Sequence, residues 1–268
     1  MDQRTILVTG STDGLGLACA TEVAHEGATV LLHGRDEGRL EEARAAITEP
    51  KQEASLGMYR ADLSSLEEVR ELADRILSEQ ERLDVLVNNA GVALPGRQRQ
   101  LSRDGHELTF AVNHLSHFLL TMRLLPLLER SGPARIVNVS SVGQRPIDFD
   151  DVMLEHGYDG IRAYCQSKLA QIMFTFELAD RIGPSVTVNA LHPATLMDTK
   201  MVRNSFGTVM STVEEGRDAT LRLASSSDVE GVTGRYFDGL RESTADGQAY
   251  DADARRRLWE LSEKLCGL

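Results

Sequence analysis

Residues 5–25 read TILVTGSTDGLGLACATEVAH, and this stretch decides the fold. Positions 5–9 form an apolar run of strand length, whereas the apolar residues of positions 15–25 have a spacing typical of a helix. Gly27 then marks the end of that helix. The stretch therefore predicts a strand, a glycine-rich turn and a helix in succession.

The turn has the spacing T-G-x-x-x-G-x-G. Gly10 allows a tight turn, Gly14 lets the backbone approach a phosphate, and Gly16 lets the helix lie close to the sheet. A plain loop is the alternative interpretation of a glycine cluster, but the position between strand and helix favours a dinucleotide site. We expect the dinucleotide to contact Gly10, Ser11, Thr12, Asp13, Gly14, Leu15 and Gly16.

The remaining chain continues the alternation of strands and helices. Strands are expected at 28–33, 57–60, 84–87, 134–139, 186–191 and 235–237, and helices at 36–47, 65–80, 105–128, 161–181 and 253–265. Apolar strands joined by helices are typical of a parallel sheet covered on both faces. We predict an α/β fold with a Rossmann-type doubly wound parallel sheet of about seven strands. The last helix would turn four side chains inward, namely Leu258, Trp259, Leu261 and Leu265.

Composition limits the function classes. With 268 residues, 41% hydrophobic content and no repeat, the chain fits a single domain over residues 1–268. No signal peptide or membrane span is visible, and the net charge of -12 is spread along the chain, so we expect neither a membrane nor a nucleic acid as partner. Three widely spaced cysteines favour a reducing compartment and a cytoplasmic protein. A homo-oligomer is compatible with the sequence.

Tyr164 and Lys168 are four residues apart in a predicted helix, so their side chains share a face. A nearby ammonium would favour the ionised phenol and lower its pKa from the usual value of about 10. Tyr164 is therefore a candidate proton donor. The pair also occurs by chance in many helices, and it gains weight from the glycine turn upstream.

A family resemblance follows from several motifs in one order. These are the glycine turn, Asp62-Leu63, Asn88-Asn89-Ala90-Gly91, Asn113, the segment 136–141, Tyr164-x-x-x-Lys168 and His192-Pro193. Over nearly the whole chain they resemble the short-chain dehydrogenase/reductase family. The fragments 113–118, 164–170, 174–179 and 258–268 look most like the branch that contains retinol dehydrogenases.

The resemblance implies an oxidoreductase that interconverts a carbonyl compound and an alcohol. Tyr164 would exchange a proton with the substrate oxygen, Lys168 would lower the tyrosine pKa and hold the nicotinamide ribose, and Ser141 would polarise the same oxygen. Ser140 is the alternative serine. Asn113 resembles the residue that anchors a water leading from Lys168 to solvent, although an ordinary polar role in the helix is the alternative.

The resemblance also implies further contacts to the cofactor. Asp62 would bind the adenine amino group with support from Leu63, and Asn89, Ala90 and Gly91 would line the site at the end of a strand. The segment after the sixth strand would hold the carboxamide, through Pro193, Ala194, Thr195 and Leu196. Ala194 and Asp198 depart from the family pattern here, which leaves Thr195, Leu196 and Thr199 as candidates for those contacts.

Arg35 favours NADP(H) over NAD(H), which is the alternative cofactor. It follows the second predicted strand, where an NAD enzyme typically offers a carboxylate to the ribose, and a guanidinium suits the extra phosphate. Ser11 and Thr12 could add hydroxyl donors. Asp36 weakens the argument because it could bind the ribose instead, and capping the following helix is its other interpretation.

Other residues have structural interpretations. Cys165 has no neighbour in sequence that would activate a thiol, and packing is expected for it. His114 and His117 lack further ligands for a metal, and surface or packing roles are favoured. The acidic residues Asp148, Asp150 and Asp151 are expected in a solvated loop. We predict no metal site.

The segments around the site predict a largely apolar substrate. The apolar set comprises Val92, Leu94, Val142, Ile147, Phe149, Leu196, Met197, Met201, Val202 and Phe206. Packing into the domain is the alternative for several of them. The loop 142–162 is expected to cover the substrate. If a phosphorylated sugar were preferred instead, the candidate anion-binding groups would be Arg97, Arg99, Arg145 and Arg203.

Two other classes of function are alternatives to this oxidoreductase activity. Enoyl reduction and sugar-nucleotide epimerisation use the same scaffold, but those branches resemble this chain less in the glycine turn or in the tyrosine-lysine spacing. A nucleotide-binding regulator or scaffold without turnover is the alternative outside enzymes. The presence of Asn113, Ser141, Tyr164 and Lys168 argues against it.

Overall fold

The computed structural model describes residues 4–47, 55–205 and 207–268, and these contain eight strands in one sheet. The strands are β1 Thr5–Val8, β2 Thr29–Gly34, β3 Ser55–Arg60, β4 Val85–Asn88, β5 Ala134–Val139, β6 Val186–His192, β7 Arg235–Asp238 and β8 Arg241–Ser243. Their order in the sheet is β3-β2-β1-β4-β5-β6-β7-β8. All neighbours are parallel except β7 and β8.

The expected count of about seven strands was therefore one short. The additional strand β8 has three exposed polar residues and pairs antiparallel with β7 at the edge of the sheet. Such a strand is held through its backbone, so it leaves no apolar pattern in the sequence.

The order of the strands reverses beside β1, and this reversal creates the binding crevice. Val8 pairs with Leu32 of β2 on one side and with Val87 of β4 on the other. Connections from β1 and β4 leave toward opposite faces of such a sheet, so a gap opens at the carboxyl ends of the two strands. The predicted glycine turn follows β1 directly at this point.

Nine α-helices lie within the described residues. They are α1 Gly14–His25, α2 Glu37–Ala46, α3 Leu66–Glu79, α4 Leu108–Phe110, α5 Ser116–Ser131, α6 Gly160–Arg181, α7 Lys200–Ser205, α8 Val213–Ser225 and α9 Ala252–Cys266. The sequence analysis did not predict α7 or α8. In the parts of the chain that the structure describes, no helix combines the length and the apolar character needed to cross a membrane.

Alternate residues of each strand pack on opposite faces of the sheet. Leu7 and Leu31 belong to the core that includes α3, α5, α6 and α9, whereas Ile6 and Val8 belong to the core with α1, α2 and α8. Strands that are buried on both faces explain the continuous apolar runs in the sequence. The predicted doubly wound arrangement is confirmed.

The helix expected at 105–128 is divided in the structure. A turn precedes α4, and Glu107 caps it by accepting a hydrogen bond from the backbone N–H of Phe110 at 2.6 Å. A π-helical turn, Ala111–Leu115, then joins α4 to α5, which continues to Ser131. π-helical turns are frequent at functional sites, and this one contains Asn113.

The last helix, α9, packs against α6, and the four side chains expected to turn inward do so to different degrees. Leu258 and Trp259 are buried, whereas Leu261 and Leu265 are partly buried against the same core. The guanidinium of Arg181 lies 4.3 Å from the centre of the Trp259 ring. A cation over an indole face and this apolar burial together hold α9 against α6.

Candidate active site

Four predicted site segments follow four adjacent strands, β1, β4, β5 and β6. Because these strands are parallel, their carboxyl ends lie at one edge of the sheet. The segments at this edge are Gly10 to Gly16, Asn89 to Gly91, Ser140 to Ser141 and Pro193 to Leu196. The fold thus brings together residues that are more than 180 positions apart in sequence.

Thr9 joins the glycine turn to the end of β4. Its hydroxyl oxygen accepts hydrogen bonds from the backbone N–H groups of Asn89 at 2.9 Å and Ala90 at 3.0 Å. The side-chain amide of Asn89 returns a hydrogen bond to the Thr9 carbonyl oxygen at 2.8 Å. The two segments are therefore held as one surface.

Two glycines are required by close approach of the backbone. A Cβ on Gly10, which has φ +65°, would lie 2.9 Å from the Cα of Ala90. A Cβ on Gly16 would overlap the carbonyl oxygen of Gly10 and lie 2.6 Å from the amide nitrogen of Asn89. Side chains would fill the space at the amino end of α1, where backbone N–H groups suit a phosphate. The residues present thus fit a dinucleotide.

Asp13 forms ion pairs with two basic side chains at this turn. Its carboxylate accepts a hydrogen bond from the Gly14 backbone at 2.8 Å and forms ion pairs with Arg39 at 3.1 Å and Lys200 at 2.9 Å. Partial burial raises the pKa of Asp13, but the hydrogen bonds and the two cations outweigh it and lower the pKa overall. Arg39 and Lys200, which the sequence analysis missed, are the nearby cations.

His33, near the end of β2, supports the glycine turn. The sequence analysis did not identify this residue. Its Nδ1 accepts a hydrogen bond from the Gly10 backbone at 3.1 Å, and its own backbone N–H donates to the Ser11 hydroxyl at 2.9 Å. Burial lowers the pKa of His33 to about 4, so the ring stays neutral and Nδ1 stays an acceptor. A histidine at the end of an otherwise apolar strand was the signal in the sequence.

Arg35 lies exposed just beyond β2, beside the turn. The preceding residue, Gly34, is close to Thr12, since a Cβ on Gly34 would lie 2.5 Å from the Thr12 methyl group. Asp36 caps α2 by accepting a hydrogen bond from the Arg39 backbone at 2.9 Å, which is one of the two roles expected for it.

Asp62 follows β3 at the same edge, and the adjacent Leu63 is buried. The Asp62 carboxylate accepts a hydrogen bond from the Ser64 backbone at 3.0 Å. Burial raises the pKa of Asp62, but bonds with Ser64 and the charges of Arg103 and Arg35 outweigh it, so the pKa is lowered. The side chain is therefore a carboxylate that can accept hydrogen bonds.

Ser141 and Ser140 point in different directions. The Ser140 hydroxyl donates to the backbone oxygen of Lys168 at 2.7 Å, whereas the Ser141 side chain hydrogen-bonds to the side chain of Tyr164. The ammonium of Lys168 lies 5.7 Å from the centre of the Tyr164 ring. The structure thus brings Ser141, Tyr164 and Lys168 together and turns Ser140 away.

The expected lowering of the Tyr164 pKa by Lys168 is opposed by burial in this arrangement, and it stays a prediction. Burial raises the pKa of Tyr164, and the hydrogen bond with Ser141 offsets only part of that increase. The ammonium donates instead to the Val139 carbonyl oxygen at 2.9 Å and to the Gln171 side chain at 2.9 Å. Burial also lowers the pKa of Lys168 to about 7, which reduces its charge near neutrality.

Asn113 lies in the π-helical turn and is fully buried. Its side-chain oxygen accepts a hydrogen bond from the Val92 backbone at 2.8 Å, and its nitrogen donates to the Ser167 hydroxyl at 2.9 Å. Gly91 lies between Asn113 and Lys168, since a Cβ there would be 3.2 Å from the Asn113 oxygen and 3.7 Å from the Lys168 nitrogen. Asn113 is therefore next to the expected catalytic residues.

Two residues that the sequence analysis missed hold the backbone of Ser141. The phenol of Tyr236, on β7, donates to the Ser141 carbonyl oxygen at 3.1 Å, and the Gln144 amide donates to the same oxygen at 3.0 Å. Gln144 also accepts a hydrogen bond from the backbone of Asp246 at 2.7 Å. Tyr236 is 95 positions from Ser141, so no local pattern could have identified it.

The segment after β6 turns sharply. His192 shares a hydrogen bond with Thr195 at 3.1 Å, and Leu196 has φ 47°, an uncommon conformation for this residue type. The residue at the departure from the family pattern, Asp198, pairs with Arg203 at 2.6 Å. Thr199 lies beside Gly14, where a Cβ would be 3.1 Å from the Thr199 methyl group.

The apolar set expected around the substrate is only partly exposed. Ile147 and Val202 are buried in the described structure, so these two belong to the core, as the packing alternative proposed. Val142 is 51% exposed, and Val92, Leu94, Leu196, Met197 and Met201 are intermediate. Phe149 packs beside Arg257, whose guanidinium lies 4.8 Å from the ring centre. Phe206 lies outside the described residues.

The loop 142–162 is tied down by its own side chains. Asp148 pairs with Arg162 at 3.0 Å, and Asp151 accepts hydrogen bonds from the backbones of Glu155 at 2.7 Å and His156 at 3.0 Å. The acidic residues thus have loop-forming roles. Within residues 4–47, 55–205 and 207–268, no group of residues is arranged to hold a metal ion.

Both histidines of the long helix are buried, which selects packing from the two roles expected for them. His114 shares a hydrogen bond with Ser262 at 2.8 Å, and His117 shares one with Gln171 at 3.1 Å. Burial lowers the pKa of each ring to about 3. Burial also raises the pKa of the Cys165 thiol, in agreement with the inert role expected for it.

Comparison with protein families identifies this arrangement. The family model for short chain dehydrogenases matches residues 4–209, which include the glycine turn, Ser141, Tyr164 and Lys168. The chain belongs to the short-chain dehydrogenase/reductase family. It is therefore an NAD(P)-dependent oxidoreductase that interconverts an alcohol and a carbonyl group.

Curated relatives assign the branch of the family. Retinol dehydrogenase 14 of Homo sapiens is 40% identical to this chain, over 100% of this chain and 88% of the relative. Retinol dehydrogenase 13 of Mus musculus is 39% identical, over 99% of this chain and 84% of the relative. The predicted resemblance to the retinol dehydrogenase branch is confirmed.

Solved structures of other proteins share the fold. A protein from Mycobacterium paratuberculosis has a TM-score of 0.80 and 30% identity, and the match covers 99% of this chain and 94% of that one. A short chain dehydrogenase from Shigella flexneri, solved in complex with NADP, has a TM-score of 0.71 and 30% identity, over 90% of this chain and 98% of that one.

Proposed function

We propose that this protein is an NADP(H)-dependent oxidoreductase that interconverts a largely apolar ketone or aldehyde and its alcohol. Tyr164 is the general acid and base of the reaction, with Ser141, Lys168 and Asn113 as its partners. The observation that carries the proposal is the hydrogen bond between the side chains of Ser141 and Tyr164 at the carboxyl edge of the sheet. A nicotinamide supplies or accepts the hydride when it is bound.

Ser141 and Tyr164 form a pair that suits a single substrate oxygen. Two hydroxyl groups that bond to each other can both turn toward a carbonyl oxygen placed between them. Ser141 then polarises the carbonyl group, and Tyr164 transfers its proton as the alcohol forms. In the reverse direction Tyr164 takes the proton from the alcohol. Gln144 and Tyr236 support this role because they fix the Ser141 backbone.

Lys168 supplies a cation behind the tyrosine. At 5.7 Å from the ring centre, its charge would stabilise the negative charge that develops on the phenol oxygen during proton transfer. Its ammonium would also hold the nicotinamide ribose. Asn113, which lies beside Gly91 and close to Lys168, is proposed to anchor a water that carries the proton to solvent.

Charge near the glycine turn supports NADP(H) over NAD(H). Arg35 is exposed beside the residues that would hold the adenosine, and Arg39 and Lys200 already gather around Asp13. A guanidinium binds a phosphate through two parallel hydrogen bonds. Asp36, the carboxylate that could have favoured NAD(H), is engaged as the cap of α2. The Shigella flexneri relative in complex with NADP is a further support.

The remaining cofactor contacts are proposed from position. Asp62 and Leu63 would bind the adenine, the segment Asn89 to Gly91 would lie under the cofactor, and residues 193–196 would hold the carboxamide. The neighbourhood of Thr199 and Gly14 favours Thr199 as an additional contact.

An apolar substrate is supported by the side chains that remain exposed around the site. They include Val142, together with the partly exposed Val92, Leu94, Leu196, Met197 and Met201. Methionine side chains adapt to irregular apolar ligands. The relatives that are named retinol dehydrogenases support an apolar alcohol or aldehyde as the substrate class.

The cytoplasm is the proposed location. Cys19, Cys165 and Cys266 are all free thiols, as expected in a reducing compartment.

A substrate panel tests the proposal. Purified protein is mixed with NADPH or NADH and with hydrophobic ketones and aldehydes or phosphorylated sugars, and nicotinamide absorbance is followed. We expect turnover with the hydrophobic carbonyls and a higher kcat/KM with NADPH. A preference for phosphorylated sugars would contradict the substrate class, and cofactor binding without turnover on any compound would favour the regulator instead.

A further inference from the structure

A chain of buried polar side chains leads from Lys168 away from Tyr164. The Lys168 ammonium donates to the side-chain oxygen of Gln171 at 2.9 Å, and the Gln171 nitrogen lies 3.1 Å from Nδ1 of His117. The other ring nitrogen, Nε2, lies 3.4 Å from the Thr9 hydroxyl. All four side chains are at least 95% buried.

With Lys168 protonated, the contacts of this chain favour one assignment of donors and acceptors. An ammonium group only donates, so the oxygen of the Gln171 amide must face Lys168. The amide nitrogen then donates to His117, and Nδ1 of the ring must be free of a proton. The ring proton of neutral His117 is consequently on Nε2, toward Thr9.

The chain returns to the active site through Thr9. The Thr9 hydroxyl fixes the backbone of Asn89 and Ala90, and the next residue, Gly91, lies beside the Lys168 ammonium. The side chains of Gln171 and His117 thus connect the lysine to the segment at the end of β4. Each of these two side chains lies between groups that have predicted roles in catalysis or cofactor binding.

Gln171 supplies one of the two acceptors that hydrogen-bond to the Lys168 ammonium. The other is the carbonyl oxygen of Val139, which belongs to the backbone and cannot be changed by substitution. Several ionisable groups face this region from the elements packed around it. They are Tyr164 on α6, His114 in the π-helical turn, His117 on α5, His33 on β2, His192 on β6 and Asp238 on β7. Four of these are histidines, whose burial keeps the rings neutral. Gln171 is therefore the polar partner of Lys168 that a substitution can remove.

We propose that Gln171 and His117 are positioning residues that hold the Lys168 ammonium charged and in place, 5.7 Å from the centre of the Tyr164 ring. The functional part of this proposal rests on the function proposed above. Ordinary satisfaction of buried polar groups is the competing explanation, because such groups are normally hydrogen-bonded. The two explanations differ in whether Gln171 controls the protonation of Lys168.

A titration of Lys168 separates the two explanations without any turnover. The chain contains four lysines, Lys51, Lys168, Lys200 and Lys264, so protein labelled with ¹³C at the lysine Cε gives few signals. The Lys168 signal is assigned by its loss in Lys168→Met. Gln171→Met removes the acceptor at similar size, whereas Gln171→Glu replaces it with a carboxylate.

The expected midpoints move in opposite directions. Gln171→Met should lower the midpoint of the Lys168 titration by at least one pH unit, because the charged form loses a hydrogen bond, and Gln171→Glu should raise it by a similar amount. The matched control is Gln166→Met, a buried glutamine of the same helix that bonds to the loop at Asp148 and Val152. It should leave the Lys168 midpoint unchanged. Equal midpoints in the wild type and both Gln171 variants would overturn the proposal.

The wild-type protein offers an independent test if a variant fails to fold. Nitrogen-15 NMR of the histidines should show His117 neutral with its proton on Nε2, and a proton on Nδ1 would overturn the assignment. Where turnover is present, Gln171→Met should reduce kcat by ~10-fold or more with little change in KM. A Lys168 midpoint that responds in a protein without turnover would refute the proposed function alone, whereas turnover with an unresponsive midpoint would refute this inference alone.

Discussion

The side-chain nitrogen of Lys168 lies 5.7 Å from the centre of the Tyr164 ring, one helical turn along α6. The four-residue spacing thus places the two side chains on one face, as predicted. However, two hydrogen bonds direct the ammonium to Val139 and Gln171. The side chain of Tyr164 instead hydrogen-bonds with that of Ser141, and the lysine is proposed to act on the tyrosine at longer range.

Arg35→Ser should erode the preference for NADPH. The exposed guanidinium is the proposed partner of the additional phosphate, and its loss should weaken NADPH binding about tenfold, or by ~1.4 kcal/mol, with little effect on NADH. Cofactor fluorescence titrations measure both dissociation constants. Arg44→Ser, at an exposed position later in α2, is the matched control. The assignment fails if native protein binds NADH as tightly as NADPH.

Tyr236→Phe should slow catalysis by loosening Ser141. The variant loses the phenol hydrogen bond to the Ser141 carbonyl oxygen, while Gln144 still donates to that oxygen. We expect a cost of about 1 kcal/mol in the free energy of unfolding, measured in urea, and a severalfold lower kcat. The control is Tyr250→Phe, which removes a phenol that accepts a hydrogen bond from the Ala245 backbone and does not hydrogen-bond to Ser141. It should keep the native kcat. Equal kcat values for the two variants would remove Tyr236 from this role.

Gly16→Ala should weaken cofactor binding and the fold together. The added methyl group would overlap the Gly10 carbonyl oxygen, which is backbone and can move only if the turn moves. We expect at least a tenfold larger Kd for NADPH, equivalent to ~1.4 kcal/mol. Gly38→Ala is the control, because its Cβ would meet only the Asp36 side chain at 3.4 Å. Unchanged affinity in Gly16→Ala would mean that the turn does not form the phosphate site.

Three buried histidines should make the protein unstable in acid. Burial lowers the pKa of His33 to about 4 and those of His114 and His117 to about 3, against about 6.5 in the unfolded chain. Between these values the unfolded state binds protons that the folded state does not. The contribution of these histidines to the free energy of unfolding is thus complete above pH 6.5. It is lost as pH falls toward 4, at up to ~1.4 kcal/mol per histidine per pH unit.

Urea unfolding at several pH values measures this loss. His114→Phe, placed among the rings of Phe110, Phe118 and Phe174, should make the dependence of the unfolding free energy on pH shallower by about one histidine's share, or ~1.4 kcal/mol per unit. The same slope in the variant and the native protein would show that His114 does not stay neutral in the fold.

The sequence predicted the parts of the fold that follow from apolar periodicity. The parallel strands and the helix containing Tyr164 and Lys168 were of this kind, because a strand buried on both faces requires a continuous apolar run. The helix α8 was missed although Thr212 and Glu215 form a capping box that the sequence displays. The strand β8 had no such signal, because its exposed side chains are polar.

The candidate site was predicted where it depends on residue identity and missed where it depends on long-range contacts. Gly10, Tyr164 and Ser141 could be identified from motifs. His33 left only a weak signal, a histidine at the end of an apolar strand, and Tyr236 left none, since each reaches its partner through the tertiary fold. The Lys168 pKa likewise follows from burial, which a motif does not reveal. The single domain over residues 1–268, the catalytic roles and any homo-oligomer stay predictions.

The rate of Tyr164→Phe tests the central claim most directly. Nicotinamide absorbance is followed with NADPH and the best hydrophobic carbonyl compound, and the cofactor Kd is measured on the same samples. Tyr59→Phe, which changes a phenol bonded to Glu79 far along β3, is the control and should keep the native rate. Lys168→Ala should reduce both turnover and cofactor affinity.

The account predicts that Tyr164→Phe binds NADPH as the native protein does and that its turnover falls by a hundredfold or more, as removal of a general acid typically causes ~100-fold to 10,000-fold losses. Retention of more than about a tenth of the native rate, a barrier change under ~1.4 kcal/mol, would contradict the assignment of Tyr164 as the essential acid.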